Sequence, residues 1–361
     1  MTIPRTVFGE EQEMFRATVK DFIAREIAPH HDKWEKDGVV SREVWRKAGE
    51  AGLLLTGIPE EYGGAGANFL MSAVLIEEMS KGLYTGPGFR LHSDIVAPYI
   101  LHYGSEEQKR SLLPRMARGE IVTAIAMTEP GTGSDLQGIR TTAIRQGNEL
   151  VVNGQKTYIT NGQLADVIIV ACKTDPKEGA KGISLVLVEA ERAGFARGRN
   201  LEKIGNKAQD TSELFFENVR VPPSNILGAE GRGFSYLMQE LPQERLIVGL
   251  AAVAIMEAAL EWTLAYTKDR KAFGRPIAER SRPRPRSHAC SSTNAWNCIS
   301  KANSMCRRRR CRSGGSQNSR AAYSTSAFNS TAAPGSCPSI RSRAPTPTPA
   351  FTASLPAPPK S

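Results

Sequence analysis

The sequence predicts an α+β multidomain protein: helical first, β in the middle, helical again, and then a tail that does not fold. Three observations predict it. Apolar residues recur at helical spacing through the first 120 positions, short β-branched runs take over from Ile121, and an apolar helical pattern returns after Gly233. Beyond position 280 the composition changes altogether. The expected domains are residues 1–120, 121–232 and 233–280, with 281–361 as a disordered tail.

The first element is marked by Phe15, Val19, Phe22 and Ile23, which stand at i, i+4, i+7 and i+8. Pro29 is expected to end it, because a proline inside a helix lacks the N–H donor. Further helices are expected over 42–52, 70–81 and 106–118, separated by glycine and proline at 59–66 and 86–88. The β-branched runs fall at 121–127, 149–152, 156–160, 166–171, 183–188 and 212–216. Asn153-Gly154 stands between two of them and reads as a two-residue hairpin turn. Residues 246–266 are so continuously apolar that this helix is expected to be buried on most sides.

The 361-residue chain has a formal charge of +10, which at face value points to nucleic acid or a membrane surface. The charge is unevenly placed, however. Thirteen of the 47 Lys and Arg lie in 281–361, which holds no Asp or Glu, so residues 1–280 are mildly acidic. Five of the six cysteines lie there too, leaving Cys172 in a β run, a usage that fits a reduced, cytoplasmic setting without a disulfide framework. The N-terminus meets Glu10 and Glu11 at once and lacks the features of a signal or transit peptide. No apolar run is expected to be long enough to span a bilayer.

The tail combines Arg-Pro repeats, Ser/Thr/Ala runs and alternating proline, and cannot bury enough apolar surface to offset chain entropy. Its basic run at 307–310 has no aromatic interleaving and reads as a solvated charge cluster, so no nucleic-acid partner is expected. Cys298, Cys306 and Cys311 with His288 lack the paired Cys-x-x-Cys hook of a zinc site, and no metal is expected.

Three stretches carry chemistry. Thr128-Glu129-Pro130-Gly131-Thr132-Gly133-Ser134-Asp135 follows a strand with a glycine-rich turn whose amides and hydroxyls can close on a phosphate or a heterocycle. Tyr158 and Thr160 stand two residues apart on a strand and so share a face. Gln243-Glu244-Arg245-Leu246 sets a carboxylate beside a guanidinium at the head of an apolar helical segment. On its own, each has a plain structural explanation: a polar loop, a core aromatic, an ion pair favoured by the helix dipole.

Together with Leu91-His92-Ser93-Asp94-Ile95-Val96, Lys207-Ala208-Gln209-Asp210 and Leu237-Met238-Gln239-Glu240-Leu241-Pro242, these motifs make residues 1–280 resemble the acyl-CoA dehydrogenase family, most of all its long-chain branch. The resemblance implies a helical N-terminal domain, a β-barrel middle domain and a C-terminal four-helix bundle, assembled as a homotetramer with FAD at the domain junction. It implies that Met127, Thr128, Gly133, Tyr158 and Thr160 hold the flavin, with Tyr158 packed on the ring where many members have Trp. Arg270, in the run 270–276 with Phe273, would reach the FAD of a neighbouring subunit. Ser134 and Arg245 would contact the acyl-CoA. Glu244 matches the base of the long-chain and isovaleryl branches, taking the α-proton while the β-hydride goes to flavin N5. The substrate implied is a medium- to long-chain acyl-CoA, and the acceptor an electron-transfer flavoprotein.

The remaining bundle helices are absent from 281–361. If each codon is read one base earlier, the run from Cys337 to Ala350 becomes compatible with Met-x-Glu-Tyr-Pro-Ile-Ala-Arg-Ala-Tyr-Ala-Asp-Ala-Arg, which resembles the family's last-domain signature. We read this as a frameshift near 279–281. In the restored frame the residue before the terminal Gly ends in the first two bases of the Pro356 codon, C-C, and cannot be Glu. Other members take their base from that position, so Glu244 gains support. Two expectations follow: an impaired enzyme in the chain as written, or an inactive acyl-CoA- and flavin-binding remnant of the family.

Overall fold

The structure, a computed structural model, describes residues 6–280. Helices occupy residues 10–117. They are α1 (Glu10–Phe22), α2 (Ala28–Asp37), α3 (Arg42–Glu50), α4 (Phe69–Lys81), α5 (Phe89–Leu91), α6 (Ala97–Tyr103) and α7 (Glu106–Ala117). Two are capped as their sequences dictate: Asn68 accepts from the Leu70 N–H ahead of α4, and Ser105 with Gln108 forms a reciprocal capping box on α7. Pro29 does not end the first helix, contrary to expectation. A π turn, Ile23–Ile27, closes with the Ala28 N–H on the Ile23 carbonyl, and Pro29 falls in the first turn of α2, where no N–H is required. The device repeats at His92–Val96, where the Ala97 N–H bonds the His92 carbonyl and Pro98 opens α6. Trp45, Phe89, Tyr99, Leu113 and Met116 fill the core between these helices.

The middle region is a seven-stranded sheet curled on itself: β1 (Thr123–Ala126), β2 (Thr142–Gln146), β3 (Glu149–Thr160), β4 (Val167–Lys173), β5 (Ile183–Glu189), β6 (Phe195–Asn200) and β7 (Thr211–Val221). The order is β1-β4-β2-β3-β7-β6, and β5 also pairs with β4. With three neighbours, β4 is the hub, and its residues from Val167 to Cys172 are buried on both faces, as a continuous apolar run requires.

The expected hairpin at Asn153-Gly154 does not form. β3 runs straight through it, with a register shift between Val152 and Gly154 against β7. Gly154 is needed there because its φ is +151° and a Cβ would meet Thr141 Oγ1 at 2.4 Å. The actual hairpin joins β2 to β3 one turn earlier, through Gly147-Asn148, with Gln146 opposite Glu149.

α8 (Gly233–Asp269) is a single 37-residue helix, so Glu244 lies eleven residues inside it, not at its start as expected. Its Ile247, Leu250, Ala251 and Val253 pack on Phe69, Ala73 and Ile76 of α4. The second half departs from expectation. Met256 is 60 % exposed, Leu260 55 % and Tyr266 62 %, so this helix is covered on one side only among the described residues. The bilayer expectation also needs correction, because an 18-residue window of α8 has a mean hydropathy of 1.7 and the helix is long enough to cross a membrane by length and composition. Glu257 and Glu261 interrupt that stretch, and its other face is seated on α4.

A short hairpin follows, β8 (Lys271–Ala272) with β9 (Arg275–Pro276), turned by Phe273-Gly274 with both φ values positive, at 55° and 77°. The tail, its basic run, the zinc alternative and the frameshift fall outside the described residues.

Candidate active site

Two groups of side chains stand out, one at the end of β1 and one on α8. At the first, the Thr157 N–H donates to the Thr128 carbonyl at 2.9 Å, which sets the end of β1 beside β3. The Lys156 ammonium is fully buried and donates to the Met127 carbonyl and to Glu129 Oε1, each at 2.9 Å. Glu129 also accepts from the backbone N–H groups of Arg140 (2.7 Å) and Thr141 (3.0 Å). One carboxylate therefore pins both ends of the glycine-rich loop and the strand beneath it. Burial alone would raise the Glu129 carboxyl, but the Lys156 charge and these donors hold it below its ordinary value. Burial pulls the Lys156 ammonium down, with Glu129 opposing.

Within the loop, Glu129 and Thr132 close a tight bridge through reciprocal backbone bonds of 2.9 and 3.1 Å. Gly131 and Gly133 are neither left-handed nor crowded; no protein atom lies within 4 Å of the position a Cβ would take at either. Nothing among the described residues calls for glycine there, and the bare backbone leaves room for a ligand to approach closely. Tyr158 lies on β3 with φ +60° and its ring 68 % exposed. A left-handed aromatic costs on the order of 1–3 kcal/mol, strain that is held where function uses it. Asn161, also left-handed at φ +63°, donates to the Thr123 carbonyl at 3.1 Å and keeps a buried Oδ1 with no hydrogen-bond partner among the described residues. The hydroxyls of Thr128, Ser134 and Thr160 make no hydrogen bond to another described residue. Free hydroxyls, open glycines and a displayed ring fit a flat heterocycle laid along β3.

The second group surrounds Glu244. Tyr99 Oη donates to Glu244 Oε1 at 2.8 Å. One turn earlier on the same face, Glu240 meets His102 Nδ1 at 2.9 Å and accepts from Tyr103 Oη at 2.8 Å. Tyr103 stacks on Tyr236 with ring centres 4.0 Å apart, and Gln243 Nε2 donates to the Asp94 carbonyl at 2.9 Å. Burial raises the Glu244 carboxyl; the Tyr99 bond and Arg245 oppose the shift and Glu240 adds to it. A half-buried carboxylate of raised basicity, aimed by a phenol, is equipped to take a proton. Between the groups stands His92, whose Nδ1 accepts from the Thr123 N–H (3.2 Å) and lies 2.8 Å from its hydroxyl, while Nε2 faces the Met116 carbonyl at 3.1 Å. Burial brings His92 down to about 4, so the neutral ring ties the segment leading to Tyr99 onto the start of β1.

The structure brings Met127 and Thr128, just past β1, beside the end of β3 that carries Tyr158 and Thr160, with Gly133 and Ser134 in the loop that follows. Arg245, next to Glu244 on α8, is exposed and makes no ion pair among the described residues. Arg270 and Phe273 lie beyond the far end of α8, about 39 Å of helix from Glu244. Sequence reasoning missed Tyr99, His102, Tyr103, Glu240, Glu129 and Lys156. The one available signal was the recurrence of polar aromatic residues at 99, 102 and 103 in an otherwise apolar helix.

The chain matches the acyl-CoA dehydrogenase N-terminal domain over residues 9–120, the middle domain over 124–219 and the C-terminal domain over 231–285. It is 53 % identical over 276 residues to the mitochondrial long-chain specific acyl-CoA dehydrogenase of Sus scrofa, covering 76 % of this chain and 64 % of that one. The crystal structure of an acyl-CoA dehydrogenase from Geobacillus kaustophilus superposes with a TM-score of 0.75 at 47 % identity, covering 84 % of this chain and 79 % of that one. An acyl-CoA dehydrogenase complexed with FAD from Bacillus anthracis superposes at 0.70 and 35 % identity, covering 77 % and 47 %. The chain belongs to the acyl-CoA dehydrogenase family. It spans just under two thirds, 64 %, of the length of the long-chain relatives it matches.

Proposed function

We propose that this chain derives from an FAD-dependent acyl-CoA dehydrogenase in which Glu244 takes the α-proton of a medium- to long-chain acyl-CoA. The single observation that carries this is the Glu244 carboxylate: half-buried, raised in basicity and held by Tyr99. FAD, when bound, accepts the β-hydride. Tyr158 would offer its exposed ring to the flavin, Thr128 and Thr160 their free hydroxyls, Met127 its backbone, and Gly133 the room for close approach. Ser134 and Arg245 are assigned to the CoA thioester. The 39 Å between Glu244 and Arg270 favours an Arg270 and Phe273 that serve the site of a neighbouring subunit in a homotetramer. An electron-transfer flavoprotein as acceptor and a cytoplasmic location complete the reading.

The test is flavin reduction on addition of octanoyl- or palmitoyl-CoA, with Glu244→Gln beside the parent. A positioned acid–base group contributes about 10²–10⁴-fold, so reduction should slow by that order. Near-normal bleaching in the variant rejects Glu244. Residues 281–361 are assigned to a shifted reading frame, and sequencing the gene across codons 275–285 decides this. The exposed half of α8 favours a second reading of the chain as written, a remnant that binds ligand without turning it over. Bound FAD with no reduction by either thioester would support that reading.

A further inference from the structure

Two carboxylates, Glu240 and Glu244, stand one turn apart on α8 and both meet side chains of α6. Like charges four residues apart on a helix repel, and more strongly where their surroundings screen them less. Glu240 is only 5 % exposed. Its Oε1 lies 2.9 Å from His102 Nδ1 and accepts from Tyr103 Oη at 2.8 Å, and Tyr103 is fixed in turn by its stack on Tyr236. Glu244 is held separately, by Tyr99.

Tyr99, His102 and Tyr103 stand at i, i+3 and i+4, so one face of α6 offers a phenol to each carboxylate and an imidazole to Glu240 alone. That asymmetry matters because an imidazole can take a charge. The His102 side chain is 30 % exposed and so exchanges protons with solvent. Neutral, it leaves the Glu240 charge at full strength beside Glu244; protonated, it offsets that charge. The other neighbours do not compete for this role. Arg245 is exposed and opposes Glu240, and Asp94 meets α8 through its carbonyl while its carboxyl is engaged by Ser72. The α4 residues packed on α8, Phe69, Ala73 and Ile76, carry no charge. After burial, Glu240 is what favours the protonated form of Glu244.

We infer that Glu240 is a positioning residue for the base: fixed by His102 and Tyr103, it turns Glu244 toward Tyr99 and sets beside it a like charge whose strength follows the protonation of His102. This rests on the reading of Glu244 as the base and adds what governs its basicity. With His102 neutral the base is strong; as the medium acidifies and the imidazole gains its proton, the base weakens.

The test is the titration of Glu244 in the 361-residue chain, followed by ¹³C NMR of labelled glutamate, with Glu244→Gln identifying the signal. In Glu240→Gln the midpoint should move to lower pH. Glu240→Asp keeps the charge and should hold the midpoint near that of the parent. His102→Gln can still donate a hydrogen bond but removes the imidazole charge, so there the midpoint should move to higher pH. A role confined to packing would move Glu240→Gln and Glu240→Asp alike, or Glu240→Gln and His102→Gln in one direction, and either result overturns the inference. A midpoint unmoved by Glu240→Gln or by His102→Gln overturns it as well. The titration uses neither flavin nor thioester, so its failure removes Glu240 from this role and leaves the acyl-CoA reading to the flavin-reduction test.

Discussion

The middle sheet and the last helix treat apolar residues in opposite ways. In the sheet, β4 is enclosed by three strands, and even its charged neighbour Lys156 is buried with a partner. On α8, the half that faces α4 is equally well packed, while Leu260, Trp262, Leu264 and Tyr266 stand open along the second half. A curled sheet completes much of its core from its own hydrogen-bonded neighbours. A bundle helix has no such neighbours of its own and depends on other helices for every face, so the same apolar content gives a finished region in one place and an unfinished one in the other.

The contrast can be broken at several points. The largest effect is expected from Lys156→Met, which strands the Glu129 carboxylate in the sheet. Breaking a buried pair from one side costs about 3–5 kcal/mol, to be read from urea unfolding, and adding Glu129→Leu should restore much of it. Next come the two faces of α8. Leu250→Ala opens a cavity in the covered face and should cost about 2–5 kcal/mol. Leu260→Lys with Leu264→Lys, on the open face, should change stability by less than about 0.5 kcal/mol per site and reduce light scattering on concentration. An equal loss from both faces would show that the second half of α8 is packed after all.

A third perturbation acts where the segment before α6 meets α4 and α8. The Asp94 carboxyl stands at about 7 in the folded chain against an ordinary 3.8, so as pH rises the unfolded chain releases this proton first and the folded state loses stability. Asp94→Asn does not titrate. The variant should therefore gain on the parent between about pH 4 and 7 and hold a constant lead above 7, as measured by melting temperature against pH. The smallest effect is expected from Tyr99→Phe. The phenol lowers the Glu244 carboxyl, so its removal should raise that titration further, as followed by ¹³C NMR of labelled glutamate in the chain. A titration unmoved by the change would show that Tyr99 does not govern this carboxylate.

The helices and most strands were legible because their periods are local. The hairpin was not: Asn153-Gly154 has the stronger turn signature, yet Gly147-Asn148 makes the turn, because the pairing of β2 with β3 and the clash a Cβ would meet at Thr141 decide the register. Pro29 misled for a similar reason, since nothing in the sequence announces a π turn ahead of it. In the site, Glu244, Thr128 and Tyr158 could be picked out by motif. Tyr99 and Glu129 could not, because the meaning of each lies in a partner 145 or 27 residues away. The exposure of α8 was hidden too, since a run from Leu246 to Tyr266 records what the helix wants covered and not what covers it.

The two π turns also act as a phase offset. Each inserts one residue without a matching rise, turning everything after it by about 100° around the helix axis. The turn at His92–Val96 thus fixes the compass bearing of Tyr99, and with it whether the phenol faces Glu244 or a neighbour. Insertions and deletions in this stretch are therefore rotations as much as changes of length. His102 and Tyr103 follow the same turn as Tyr99, so the bearing of all three toward α8 is set together.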